Sequence, residues 1–85
     1  MMEPVKLSAW EIQQAKNARN RALIMKILTY FPLGLTTQQI IVKELETYGY
    51  SFLTDNRLRE LVGLGYVRKD ASVSPCRWVP LREAV

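Results

Sequence analysis

Apolar residues recur at intervals of three and four along the middle of the chain: Ile24, Ile27, Leu28 and Phe31 form one stripe of a helix. Followed backward, that stripe turns polar at Asn20, Asn17, Lys16 and Gln13. The first half of this helix is therefore expected to project beyond the core that its second half helps to build. Two later segments carry shorter stripes of the same period. Ile41 and Leu45 mark one, and Leu58, Leu61 and Val62 the other.

All three segments open on a similar start signal. A capping box with its staple needs an apolar residue, then Ser or Thr, then Glu or Gln three positions later and an apolar residue after that. Leu7-Ser8-Ala9-Trp10-Glu11-Ile12 and Leu35-Thr36-Thr37-Gln38-Gln39-Ile40 satisfy it in full. Leu53-Thr54-Asp55-Asn56-Arg57-Leu58 satisfies it except at Arg57, and there Asp55 supplies the negative charge that a helix N-terminus favours. Pro32 and Gly34 stop the first segment, and Gly49 and Gly65 stand where left-handed caps would close the other two. The spacing predicts helices over Ala9–Tyr30, Thr37–Tyr48 and Asp55–Leu64. The tail changes character. Tyr66–Lys69 and Cys76–Val79 lean toward strand, and the turn-forming run Asp70-Ala71-Ser72-Val73-Ser74-Pro75 separates them, which predicts a two-stranded hairpin. Pro80 cannot donate to a ladder, so its strand is expected to lie at an edge or to end there. Trp78 and Val79 have opposite parity; which faces the core stays open, with Trp78 expected beneath the hairpin.

Composition narrows the classes. Eighty-five residues, 48% apolar and 24% charged, describe one small folded domain over residues 1–85, with residues 1–7 expected to be flexible. The chain has no histidine and a single cysteine, Cys76, so no disulfide framework and no Cys/His zinc site can form within it. With no phosphate-cradling glycine loop either, an enzyme is not expected, and neither is a cofactor. The N-terminus has no apolar core of a secretory signal. Ala22–Leu35, the most apolar stretch, is too short to span a bilayer and contains Lys26 and Pro32. A reducing cytoplasm is the expected setting, without a membrane. Twelve basic residues against eight acidic leave a net charge of +4, a mild bias toward polyanions.

Long helix, helix, helix and hairpin follow the order of a winged helix-turn-helix domain, and from Leu35 to Leu81 the likeness is specific. Thr36-Thr37-Gln38-Gln39-Ile40 resembles the opening of that family's second helix. Arg57-Leu58-Arg59-Glu60-Leu61-Val62-Gly63-Leu64-Gly65-Tyr66-Val67-Arg68-Lys69 is similar to its recognition helix running into the first wing strand. The resemblance implies a mostly α fold: three helices, the first long, and a two-stranded wing, with residues 8–31 as the long helix and 35–81 as helix-turn-helix and wing. It also implies sequence-specific binding of double-stranded DNA, as in a small transcriptional regulator. The third helix would enter the major groove and the hairpin would meet the backbone. Two features depart from the family. The link from Tyr48 to Leu53 is longer than a simple helix-turn-helix turn, and the third helix pairs Arg57 and Arg59 with Asp55 and Glu60, giving a formal charge near zero.

With Leu58, Leu61 and Val62 inward, the opposite face of the third helix would present Asn56, Arg59, Glu60 and Gly63. Asn56 suits adenine and Arg59 suits guanine by bidentate pairing, and Arg57 adds a further cation on the same helix. Glu60 can accept from cytosine or hold an arginine in place, and of these and a plain solvated charge the last is expected. Arg68, Lys69 and Arg77 flank the hairpin tip in positions suited to phosphate, and Thr37 and Lys43 would touch the backbone from the second helix. Each has a plainer reading as a solvated or aggregation-deterring surface charge. Lys16, Arg19, Arg21 and Lys26 do not share one stripe and are expected to be solvated. A second stripe on the first helix, Ala15, Ala18, Ala22 and Met25, together with Trp10 on the projecting end, suggests a homodimer contact. The plainer reading is that alanine is the best helix former on a wet face. A different class of function remains beside DNA binding: the same fold as a protein-interaction module, an adaptor or an inhibitor of a larger complex, which the neutral third helix favours.

Overall fold

Local capping geometry sets most of the element boundaries across residues 7–81, which the computed structural model describes. The flexible leader expected over 1–7 lies, apart from Leu7, outside the described residues. Three helices, α1 (Ala9–Thr29), α2 (Thr37–Tyr48) and α3 (Thr54–Leu64), precede an antiparallel hairpin of β1 (Val67–Asp70) and β2 (Arg77–Pro80). The layout is that of a winged helix with a long first helix.

At the start of α1 the Ser8 hydroxyl accepts from the Glu11 amide at 3.1 Å, and the Glu11 carboxylate accepts from the Ser8 amide at 3.3 Å. Thr36 and Gln39 repeat the exchange for α2 at 3.2 and 2.9 Å. Helix α3 departs from the expected pattern. Its N-cap is Leu53, in the left-handed region at φ 55°, with no side-chain cap. Thr54 is instead the first helical residue and is buried, because its hydroxyl donates to the Glu44 carboxylate, 2.7 and 2.6 Å from the two oxygens. That pairing joins α2 to α3 and outcompetes the local cap. Glu44, fully buried, thus sits at the N-terminal end of α3, where the helix dipole favours negative charge.

The core is built from Ile24, Met25, Ile27 and Leu28 of α1, Leu35, Ile40 of α2, Phe52, Leu58 and Leu61 of α3, Val67 of β1 and Trp78 of β2. Phe31 packs against it half-buried. Helix α2 faces inward one position earlier than its hydrophobic stripe predicts. Ile40 and Glu44 are buried, Ile41 is half-buried and Leu45 is 51% exposed. The Thr54 hydroxyl is what makes a carboxylate tolerable on the inward stripe. Val62 likewise stays partly exposed.

In the hairpin, Val67 pairs with Pro80, Arg68 with Val79, Lys69 with Trp78 and Asp70 with Arg77. Trp78 is the inward residue of its pair with Val79, and its indole N–H donates to the Thr37 hydroxyl at 2.8 Å. Strand β2 ends at Pro80, one of the two outcomes expected there, and its outer side is not wholly free. At Trp78 it is bridged on its other side by Leu35, whose amide and carbonyl exchange bonds with the Trp78 backbone at 3.2 and 2.8 Å. Since the Trp78 backbone groups point to Leu35, alternation points the backbone of residue 80 the same way, and Pro80 removes no bond from the β1–β2 ladder. Gly34 makes this approach possible: at φ 90°, a Cβ there would lie 2.8 Å from the Trp78 carbonyl oxygen. Among the described residues, no helix is long and apolar enough to cross a membrane.

Candidate nucleic-acid interface

Helix α3 packs Leu58 and Leu61 inward, which turns Asp55, Asn56, Arg59 and Gly63 to solvent. Asn56 has the free edge that base pairing needs. Arg59 is extended along the surface, its guanidinium 2.9 Å from the Asp55 carboxylate one turn earlier. An exposed pair of this kind is worth only a few tenths of a kcal/mol and gives way readily to a competing acceptor.

Arg57 is not on this surface. It is 8% exposed and turned toward α1, where its Nη1 donates to Asn17 Oδ1 at 2.7 Å. Its Nε lies 2.7 Å from Glu60 Oε1, an ion pair in which the N–H is not aimed at the oxygen, so that donor is left without a hydrogen bond. Glu60 also accepts from Arg21 at 3.1 Å, and Gln13 donates to Asn17 at 2.9 Å. Gln13, Asn17, Arg57, Glu60 and Arg21 therefore form one polar seam between α1 and α3. The seam corrects the expectations of Arg57 as a groove-facing cation, of Arg21 as a solvated charge and of Asn17 as part of a projecting polar stripe, and for Glu60 it selects the arginine-holding role over solvation. A signal for it was present, since Arg57 stands four residues before Leu61 on the inward stripe and Asn17 lies on the backward extension of the core stripe of α1.

The hairpin presents Arg68, Lys69 and Arg77, all exposed, but its register divides them. Arg68 and Arg77 share the outer face with Val79 and Asp70. Lys69 shares the face of Trp78, with its ammonium 5.5 Å from the indole ring centre. Arg68 and Arg77 thus stand together on the solvent face, suited to phosphate, while Lys69 is exposed on the side that packs on the core. Asp70 is the acid within this group. The Ser72 hydroxyl and then the Ser72 amide donate to its carboxylate, and these bonds, with the nearby Arg68 and Arg77, hold it below the usual aspartate range.

Thr37 and Lys43 do not join the surface as predicted. The Thr37 hydroxyl is half-buried beneath Trp78, where it supports the wing. Lys43 lies 3.6 Å from Glu46 and over the Phe31 ring, and it lines a groove between α1 and α2 whose lining includes no residue of α3 or the hairpin. Among the expected dimer contacts, Trp10, Ala15, Ala18 and Ala22 are exposed, whereas Met25 is buried in the core and cannot meet a partner. Cys76 is a free, half-buried thiol.

The exposed face of α3 and the adjoining hairpin thus remain open to solvent. Neither is packed away in the protomer, and the hairpin carries an excess of positive charge. No family profile, curated protein or solved structure matches this chain.

Proposed function

We propose that this chain binds double-stranded DNA, with the Asn56–Arg59 face of α3 against base edges and the hairpin against the backbone, as a small transcriptional regulator. The observation that carries this reading is the hairpin itself, with three exposed cations on its two faces and an adjacent acid already engaged by Ser72. Phosphate contacts supply affinity without sequence information, and the exposed amide and guanidinium on α3 supply the donors and acceptors that discriminate bases.

The test is selection from a random duplex pool at physiological salt, followed by affinity measurement across ionic strength. Each phosphate contact contributes a slope of about −0.9 to log K against log salt, so three cations give about −2.7. The triple change Arg68→Ala, Lys69→Ala, Arg77→Ala is expected to abolish the shift of a labelled duplex while leaving the fold intact. Absence of duplex binding by the wild-type chain at low salt overturns the reading.

One observation favours a protein partner instead. With Arg57 turned inward and Arg59 paired to Asp55, the outer face of α3 carries no net charge and leaves Val62 and Leu64 partly exposed. On that reading, the triple change would leave capture of a partner protein untouched.

A further inference from the structure

Helix α1 is about 31 Å long at 1.5 Å per residue, and residues 9–16 at its N-terminal end are all exposed. At its other end, α1 and α2 enclose an open groove of about 720 Å³, lined by Ala22, Lys26, Tyr30, Phe31, Lys43 and Tyr48 among others. Its lining is mainly apolar and holds two lysines and no acid. Tyr30, on the lip, is 81% exposed.

The exposed side of α1 that leads into this groove reads Glu11, Ala15, Ala18, Ala22, Lys26, at spacings of four, three, four and four. These residues share one face of the helix. Run antiparallel against a second copy, that face is its own complement at its ends, with exposed Arg19 beside the alanines near the two-fold axis. Setting Ala15 opposite Ala22 of the copy brings Glu11 opposite Lys26 at both ends. The alanines between them let the two helix axes approach closely, since interaxial distance is set by the side chains at the contact.

We infer that a second copy of this chain is the occupant of the groove. Each protomer lays the projecting half of its α1 between α1 and α2 of the other, in a two-fold antiparallel pair. The arrangement is isologous, so each contact occurs twice and the assembly closes at two. Glu11 is the acid of the projecting half and meets Lys26, one of the two lysines of the groove. Ile12, exposed beside the seam, is carried toward Tyr30 and Phe31. Trp10 lies about a third of a turn around the helix, at the rim of the contact. The inference does not depend on DNA binding, since none of these residues belongs to α3 or the hairpin.

Analytical ultracentrifugation over a concentration series tests it. The expected species is a dimer of two 9.8 kDa chains. Lys26→Glu replaces both Glu–Lys contacts with like-charge contacts and is expected to weaken association about tenfold or more. Glu11→Lys combined with Lys26→Glu restores the complement and should recover it. Because Glu11 also completes the Ser8 capping box, helical content is followed by circular dichroism. Ala18→Arg supplies a second measurement: the position is exposed in the protomer, so the variant should fold and sediment as a monomer. A wild-type monomer at several hundred micromolar overturns the inference. So does a dimer that survives Ala18→Arg, or a Lys26→Glu loss that a folded double variant fails to recover.

Discussion

Arg57 and Arg59 stand two residues apart and have opposite surroundings. Arg57 is enclosed by Asn17 and Glu60, so removing it opens a gap in the seam and leaves the buried amide with Gln13 alone and the half-buried carboxylate with Arg21 alone. Arg57→Ala is expected to cost about 2 kcal/mol of stability, a fall in Tm of about 10 °C for a domain of this size, measured by thermal unfolding. Arg59→Ala should change stability by less than about 0.5 kcal/mol. Under the DNA reading it should also cost about 1–3 kcal/mol of duplex affinity and relax preference at one base position. Asp70 gives a pH dependence with a definite sign. Its folded-state pKa is depressed below the unfolded value, so its contribution is fully present above the ordinary aspartate range and is lost as pH falls through the folded value. An NMR titration should show the Ser72 amide moving only at pH below that range, and Asp70→Asn should remove the transition.

Among the elements, α1 and α2 follow their capping signals, while α3 and the hairpin are placed by contacts from other parts of the chain. Thr54 faces inward to Glu44 instead of capping α3, so Thr54→Val deprives a fully buried carboxylate of its donor. The expected loss is about 2 kcal/mol, read by urea unfolding; conversion of Thr54 to Ser should recover most of it. The hairpin depends on Gly34 in the same way. Gly34→Ala meets both a left-handed φ and a backbone oxygen at 2.8 Å, and should destabilise by at least about 1 kcal/mol. The boundaries of α1 and α2 were legible in the sequence because caps operate within four residues. The inward face of α2 was not, because Ile41 and Leu45 look apolar enough to be core and only the Thr54 hydroxyl explains why Glu44 takes their place.

For the whole molecule, the winged-helix layout leaves two surfaces uncovered, and they lie on different elements. The α3–hairpin surface is cationic and the α1 seam is self-complementary, so the two can operate together. If both proposals hold, duplex selection should return a motif with two-fold symmetry, because a two-fold protein presents two equivalent α3 helices. Ala18→Arg should then retain contact with a half-site while losing the symmetric preference. The candidate interface was partly legible beforehand. The strand order, the wing cations and the exposure of Asn56 and Arg59 follow from short-range pattern. The withdrawal of Arg57 into the seam and of Thr37 beneath Trp78 does not.

The sequence by itself determined where α1 and α2 begin and end, that a third helix and a hairpin follow them, and that the first turns of α1 project. Each of these rests on side chains a few residues apart acting on their own backbone. Only the tertiary structure decided which charges stay outside. Arg57 and Asn17 are 40 residues apart, Arg21 and Glu60 are 39, and Trp78 and Thr37 are 41. Whether a polar side chain faces inward depends on finding a partner there, because burying it unpaired costs more than leaving it in water. That partner is supplied by a different element, so only packing of the helices and the hairpin against one another could settle it.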